Sequence, residues 1–210
     1  MYCRFLHMKS RSKNSLVHIV CCIFLLILVG CAPDMVQERD DQGNLVATYA
    51  MRDSLKHGKY IGYHTDGSIF EESTYVNGKV HGTRLLYFEG NKHIQTSETY
   101  VDGVMDGLLE EYHPNGQVAF TGKFVNDAME GVWKKYNESG ILIEEVSFKD
   151  SEENGPFKEY HLNGKLAAEG GYINGDNEHG PLKIYNEEGE LVKEMNCNYG
   201  ICNTTWSKDS

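Results

Sequence analysis

The sequence predicts an all-β fold in which β-hairpins repeat side by side to form one elongated antiparallel sheet. Three observations lead to this prediction. Glycines recur every 24 or 25 residues, a tyrosine stands five residues after each of them, and apolar and polar residues alternate in the stretch that follows. Alternation with a period of two over about eight residues is typical of a half-buried strand. Internal periods of this length indicate a repeat architecture.

Residues 1–30 differ from the rest of the chain and are predicted to be a cleavable signal helix. Residues 1–15 contain four basic side chains and no acidic one, and LVHIVCCIFLLILVG follows. That apolar segment is shorter than the ~20 residues that span a bilayer. A basic start followed by a short apolar core is typical of a secretory signal. The alternative is an ordinary membrane anchor, and both Met1 and Met8 are compatible with the start.

The end of this segment, Leu28-Val29-Gly30-Cys31, resembles the lipobox of bacterial lipoproteins. In that family the cysteine is acylated and becomes the new N-terminus. The resemblance implies that Cys31 is a lipid anchor and that residues 31–42 form a polar tether. It also implies a place in the cell envelope, outside the cytoplasm. Ala32 after the cysteine implies the outer membrane if the host is Gram-negative, and the host remains open.

The charge of the chain limits its partners. The formal net charge is −11, and removal of residues 1–30 leaves 16 basic and 31 acidic residues, a net charge of −15. Nucleic-acid binding depends on neutralisation of phosphates by Lys and Arg. An acidic chain therefore argues against nucleic acid as a partner and against adsorption to anionic lipid. Two or three acyl chains would hold the protein on the membrane instead.

Two cysteines near the C-terminus are candidates for a disulfide. Cys197 and Cys202 stand five residues apart in CNYGIC, and disulfides persist in exported proteins. We expect them to form a small disulfide loop. The alternative is two unreactive thiols, because Cys197 falls in a position that other repeats fill with an aromatic residue.

Six units carry the repeat, and each is predicted to be a β-hairpin. The second half of each unit begins with a further glycine, which in three of the six units stands in Asn-Gly or Asp-Gly, a strong hairpin-turn signal. An apolar residue two places after the first glycine stands three places before the tyrosine. Residues an odd number of places apart point to opposite faces of a regular strand, so either a bulge or a change of face is expected between them. One hairpin is marginal in water, so neighbouring hairpins are expected to pair edge to edge. The repeat-defining residues are Gly58, Tyr63, Gly82, Tyr87, Gly107, Tyr112, Gly131, Tyr136, Gly155, Tyr160, Gly180 and Tyr185.

The array is predicted to run over residues 43–200, with a C-terminal tail over 201–210. The spacing from Gly43 to Gly58 is 15 residues, the same as from Gly67 to Gly82, so half a unit precedes the first full one. At ~4.8 Å per strand, two strands in each unit give an array ~60 Å long.

The segments GVWKKYNESGILIEEVSFKD and GPFKEYHLNGKLAAEGGYINGDNEHG resemble MORN repeats of the bacterial variant. The resemblance implies a curved antiparallel sheet and a role in binding or scaffolding. It also implies an antitoxin or immunity-type neutraliser as the alternative function. Arg84 replaces an aromatic residue, and FVND and FKDS lack a turn glycine, so we expect those units to pack less regularly.

The histidines do not form a predicted metal site. His57, His81 and His179 occupy the position before the repeat glycine, and equivalent positions lie two strands apart, about 9–10 Å. Zinc requires its ligands within ~2–2.3 Å, so we interpret this position as a polar turn residue. No cofactor is predicted.

Pairs of neighbouring acids do not predict catalysis. In Glu71-Glu72, Glu110-Glu111 and Glu144-Glu145 the two side chains point to opposite faces of a strand. We interpret these acids as a solvated face that keeps the sheet soluble. The chain is therefore not predicted to be an enzyme.

The row of six tyrosines is either part of a core or a binding face, since Tyr is favoured at interfaces. We expect core packing. A sheet with one apolar face must cover it by curvature, a partner or a second layer. The sequence therefore predicts a non-enzymatic, membrane-anchored lipoprotein that binds a protein partner of unknown identity through its hairpin array.

Overall fold

The structure is a computed structural model that describes residues 34–90 and 92–208. Within these ranges the chain forms seventeen β-strands and no helix. The predicted signal peptide and Cys31 lie outside the described residues.

The strands follow one another at regular intervals and are mostly six to nine residues long. Their bounds are β1 Asp34–Arg39, β2 Leu45–Arg52, β3 Leu55–Tyr63, β4 Ile69–Val76, β5 Lys79–Val80, β6 Gly82–Tyr87, β7 Ile94–Val101, β8 Val104–Tyr112, β9 Val118–Val125, β10 Ala128–Tyr136, β11 Leu142–Lys149, β12 Glu152–Tyr160, β13 Leu166–Ile173, β14 Asn177–Glu178, β15 Gly180–Tyr185, β16 Leu191–Asn198 and β17 Ile201–Ser207.

All seventeen strands belong to one antiparallel sheet. The chain runs up and down as a meander, with each of the longer strands hydrogen-bonded to the next longer strand. The short β5 and β6 together replace a single strand against β4, and β14 and β15 do the same against β13. The sheet is open and curved, which confirms the predicted all-β class of stacked hairpins.

The sheet extends beyond the predicted array at both ends. β1 lies in the predicted tether, and β17 fills most of the predicted tail, so both boundaries were placed too far inward. β1 pairs with β2 in the repeat register, with Asp34 and Arg39 where other units have the glycine and the tyrosine. The strand was missed because neither marker residue is present. Backbone groups along the free edge of β2 nevertheless gain hydrogen bonds by pairing with it.

The break of parity between the apolar residue and the tyrosine is a change of face, since Trp133 and Tyr136 lie on opposite faces of β10, and a bulge in the following strand accompanies it. In β10, Lys135 pairs with Glu144, whereas the next residue, Tyr136, pairs with Leu142, so Ile143 is an extra residue in β11. The same shift occurs at the other five repeat tyrosines. The bulge places Leu142 on the same face as the tyrosine. Apolar residues two places after the second glycine therefore do not share a face with those six and eight places after it, although their even spacing would put them on one face of a regular strand.

The turns that lack glycine are as regular as the others. Asp127 and Ser151 take the glycine position with φ of 66° each, and the residues before them also have positive φ. Their side chains compensate for the unfavourable backbone conformation, because Asp127 Oδ1 accepts a hydrogen bond from Met105 N at 2.7 Å and Ser151 Oγ from Met129 N at 2.9 Å. Asp and Asn tolerate this region better than most residues. The expectation of less regular packing in these units was wrong.

Candidate binding face of the repeat sheet

The sheet has two chemically different faces. Neighbouring residues of a strand point to opposite sides, so Trp133 and Lys134 of β10 lie on different faces. We call the side of Trp133 the aromatic face and the side of Lys134 the tyrosine face, since Tyr136 lies there. No second layer covers either face within residues 34–90 and 92–208.

The aromatic face is built around Trp133, whose side chain is only 2% exposed. Three phenylalanine rings surround the indole, with centroids 4.9 Å away for Phe120, 5.2 Å for Phe124 and 6.1 Å for Phe148. Gly122 lies beneath the ring, and a Cβ atom there would be 2.0 Å from Trp133 Cδ2. The sheet therefore makes room for a large side chain by placing a glycine on the neighbouring strand.

Arg84 occupies the position of Trp133 in the second unit, and acidic side chains replace the aromatic packing. Its Nε lies 3.1 Å from Oε1 of Glu71, which is 6% exposed, and its Nη1 lies 3.5 Å from Glu98 Oε2. Ser73 Oγ donates to Glu71 Oε1 at 2.8 Å, and the Tyr100 hydroxyl donates to Glu98 Oε2 at 3.1 Å. The half-buried guanidinium is thus paired and hydrogen-bonded, as a charge in such a place must be.

The first unit shows how this face accommodates a cation. Lys56 Nζ lies 4.6 Å from the ring centroid of Tyr49, 4.5 Å from that of Tyr60 and 5.3 Å from that of Tyr75. An ammonium within about 6 Å of a ring centroid is attracted by the negative charge of the ring face. Three tyrosines therefore form an aromatic cage around a lysine of the same chain.

A cleft of about 360 Å³ opens on the aromatic face beside Trp133. Phe120 and Phe148 contribute aromatic walls, while Glu111, Glu144, Glu153 and Lys135 contribute charge. The register aligns Glu111, Phe120, Lys135 and Glu144 in one row across four successive strands. The cleft is therefore lined by rings and carries three carboxylates against one ammonium.

The electrostatics of the cleft are only partly compensated. Lys135 Nζ is 4.0 Å from Glu144 Oε2, the limit of an ion pair. Burial, together with the negative charges of Asp176 and Glu144, raises the pKa of Glu153. The indole N–H of Trp133 is buried and has no hydrogen-bond partner among the described residues. A buried donor without an acceptor costs about 1–3 kcal/mol.

The tyrosine face links successive hairpins through phenol–carboxylate hydrogen bonds. The hydroxyl of Tyr160 donates to Glu145 at 2.7 Å and that of Tyr185 to Glu169 at 2.9 Å, and in both pairs the acceptor belongs to the preceding unit. Burial and the hydrogen bond to Glu145 raise the pKa of Tyr160 to about 12. The hydrogen bond from Tyr160 is also the main reason that the pKa of Glu145 is lowered.

The six repeat tyrosines are half-buried and pair with an aliphatic residue on the next strand, so they are neither a deep core nor a free binding row. The aliphatic partners are Ile69, Ile94, Val118, Leu142, Leu166 and Leu191. Tyr136 makes no hydroxyl hydrogen bond within the described part of the chain. The position that holds Glu145 in the next unit is Thr121 here, which donates to Leu109 O instead.

The repeat glycines occupy positions that require their conformational freedom. Gly58, Gly82, Gly107, Gly131, Gly155 and Gly180 all have φ between +74° and +145°. In most units the strand bulges at this glycine, as at Gly131, where the register with β9 shifts between Glu130 and Lys134. Asn and Asp tolerate such φ values in αL, but few other residues do.

The two C-terminal cysteines are joined by a disulfide. Cys197 and Cys202 are direct partners across β16 and β17, and Cys197 is 3% exposed. The bond ties the last hairpin of the sheet together.

The position before the repeat glycine makes contacts with the next turn. Glu130 Oε1 accepts a hydrogen bond from Asp150 N at 2.9 Å, and His81 Nδ1 lies 3.4 Å from Asp102 N. No group of three or more potential metal-binding side chains exists among the described residues. The polar residues in this position thus connect one repeat to the next.

Sequence reasoning missed a second set of histidines. His64, His113 and His161 directly follow a repeat tyrosine, and the Nε2 of each lies 2.9–3.0 Å from the carbonyl oxygen of the next repeat tyrosine. Their recurrence after tyrosine in three units was visible in the sequence. Without the stacking geometry, however, nothing in the sequence indicated that the partner was a backbone carbonyl.

Among residues 34–90 and 92–208, no helix is long and apolar enough to cross a membrane.

Comparison with known families agrees with this geometry. The family described as "MORN repeat variant" matches residues 56–77, 105–126, 129–150 and 153–174. The second and sixth units are not matched; the second carries Arg84 and an extra turn residue, and the sixth carries Cys197 in place of an aromatic residue. No curated protein matches the chain. With four matched segments stacked as hairpins in one sheet, the chain belongs to the MORN-repeat proteins, in the variant class of that repeat.

Proposed function

We propose that this repeat module binds a protein partner through its aromatic face while a lipid on Cys31 holds it at a membrane of the cell envelope. The observation that carries the proposal is an aromatic face without a covering layer. Phe120, Phe124, Phe148 and Tyr172 are only half-buried on it. Partly exposed rings grouped on one surface are typical of interaction sites, because soluble proteins seldom leave large apolar patches without a use.

The proposed anchor rests on the sequence. Leu28-Val29-Gly30-Cys31 follows a basic and then apolar segment, and β1 begins at Asp34, three residues after the cysteine. Acyl chains on Cys31 would therefore place the first strand of the sheet close to the lipid surface. The location that we propose is outside the cytoplasm.

We further propose that the protein is not an enzyme. The neighbouring acids Glu144 and Glu145 serve opposite faces, the first facing Lys135 and the second bonded to Tyr160 and Lys134. General acid–base catalysis by two carboxylates requires both on the same substrate. These pairs are separated by the sheet itself.

A neutraliser of a basic protein is the second candidate. The net charge of −15 after removal of residues 1–30 favours it, since a strongly acidic surface attracts basic partners. A stoichiometric basic partner would support the neutraliser, whereas envelope components would support the scaffold.

Crosslinking of the protein in its own envelope, followed by affinity capture, tests the proposed function. Lysine-reactive crosslinkers should yield a defined partner with crosslinks near the aromatic face, and a Phe120→Ser/Phe148→Ser variant should lose it. Capture of no partner, or of the same partner by the variant, would refute binding through this face. Globomycin tests the anchor separately, because an acylated Cys31 requires that the treated cells accumulate the uncleaved precursor.

A further inference from the structure

We propose that the cleft beside Trp133 receives a lysine or arginine side chain from an extended, cationic segment of the protein partner. This inference rests on the proposed binding function and names the chemistry that the site recognises. Four observations carry it: the charge of the cleft, its aromatic walls, the cage around Lys56 and the unpaired indole N–H.

Charge complementarity favours a cationic occupant. Glu111, Glu144 and Glu153 bring three carboxylates to the cleft against the one ammonium of Lys135, and the imidazole of His113, hydrogen-bonded through Nε2 to Tyr136 O, also lines it. The ammonium of Lys135 sits 4.0 Å from Glu144 and so leaves the other two carboxylates without a partner in the cleft. A cation placed there would relieve the repulsion that Glu153 experiences from Glu144 and Asp176.

The aromatic walls add a second attraction for a cation. Phe148 is the direct cross-strand partner of Glu153, and Phe120 is the partner of Glu111. A ring beside a carboxylate can contact the alkyl part and the charged head of a lysine or arginine at the same time. Acidic ligands would meet repulsion, and neutral ones would leave the carboxylates unpaired.

The same face already holds a cation in this way elsewhere in the chain. Lys56 occupies the position that Glu153 occupies four repeat units further on, each standing opposite the residue eight places after a turn glycine. At the first site the lysine of the chain fills its own cage of tyrosines. At the second site the residue in that position is an acid, and the rings of the cleft, Phe120, Trp133 and Phe148, come from other positions of the same face, so the cation must come from another molecule.

The unpaired N–H of Trp133 indicates that the occupant also supplies an acceptor. The indole is 2% exposed, lines the cleft and has no partner for its Nε1 in the described ranges. A main-chain carbonyl of an extended segment would satisfy it once the rings that cover the N–H moved aside on binding. A protein segment therefore fits better than a free amine, because it offers a carbonyl oxygen and a cationic side chain together.

The test is a binding titration of the purified full chain in mild detergent with fluorescein-labelled octa-arginine and octa-lysine peptides, with octa-glutamate for comparison. We expect saturable binding of both cationic peptides. The Glu144→Gln/Glu153→Gln variant should bind about tenfold more weakly, the loss expected when close charge pairs are removed. The matched control is Glu187→Gln/Glu188→Gln, which removes the same charge from an exposed turn and should change the affinity by less than about twofold.

Equal weakening in the two variants would show attraction to net charge alone and would overturn the proposal, as would the absence of saturable binding. Unchanged thermal unfolding of both variants establishes that folding is intact. Capture of the crosslinked envelope partner by the Glu144→Gln/Glu153→Gln variant at wild-type yield would also overturn this site. That result would leave the proposed binding function standing, so the two failures are distinguishable.

Discussion

Replacement of Gly122 by alanine is the most direct test of how the aromatic face is packed. A Cβ atom at this position would lie 2.0 Å from Trp133 Cδ2, 2.3 Å from Cε2 and 2.5 Å from Cε3. Carbon atoms pack at about 3.5–4.0 Å, so the indole would have to move by about 1.5 Å. The ring is 2% exposed and surrounded by phenylalanines, which leaves little space for that movement.

The expected cost follows from two bounds. Overpacking of a close-packed interior costs about 1–3 kcal/mol. Loss of a buried tryptophan's contacts costs about 3–5 kcal/mol, and Gly122→Ala displaces the ring without deleting it. We therefore expect the free energy of unfolding to fall by about 2–4 kcal/mol, or Tm to fall by about 5–15 °C for a sheet of this length.

Thermal and urea unfolding, followed by circular dichroism, would measure this loss. Gly62→Ala is the matched control, because Gly62 also lies in a strand and its added Cβ would be no closer than 3.4 Å to any neighbour. Its stability should change by less than about 0.5 kcal/mol. In a Trp206→Phe background, the fluorescence of Trp133 should shift to the red in Gly122→Ala. Equal stabilities of the two alanine variants would refute the packing of Trp133 on Gly122.

Three further predictions concern the links between hairpins. Tyr160→Phe should lower the free energy of unfolding by about 1 kcal/mol at pH 7, because Glu145 loses its 2.7 Å hydrogen bond. Tyr136→Phe should leave the free energy of unfolding almost unchanged. Equal losses for the two variants in urea titrations would contradict this role. Since the pKa of Glu145 is lowered in the folded state, its contribution is present above about pH 4.5 and is lost as the pH falls through the folded value. The difference between the two variants should therefore shrink as the pH falls below 4.5 and vanish below the folded pKa of Glu145. Arg84→Ala should cost about 2–4 kcal/mol by leaving the buried carboxylate of Glu71 unpaired, and a melting temperature within 2 °C of wild type would exclude this.

The comparison of Leu142 with Val146 shows where sequence reasoning reached its limit. Both lie at even offsets from Gly140, which would put them on the same face of a regular strand. The extra residue at Ile143 reverses the face of Leu142 and brings it opposite Tyr136. A bulge of one residue is small in the sequence, but side-chain direction in a strand has a period of two, so a single insertion changes the face.

The sequence by itself determined the hairpin unit, the number of full repeats and their antiparallel stacking. These features depend on residues close together in the chain, namely a turn signal, an alternating strand and the next turn signal. Glycine and tyrosine mark these features in the sequence. The backbone has positive φ at each repeat glycine, and the bulge recurs at the same offset in most units.

Only the tertiary structure decided which side chains meet across strands that are 13 to 24 residues apart. It extended the sheet to β1 and β17, paired Arg84 with Glu71, linked His113 to the carbonyl of Tyr136 and assembled the acidic cleft beside Trp133. Such contacts depend on the register between neighbouring hairpins. Register is set by the bulges and the packing of the whole sheet, and no local segment of the chain encodes it alone.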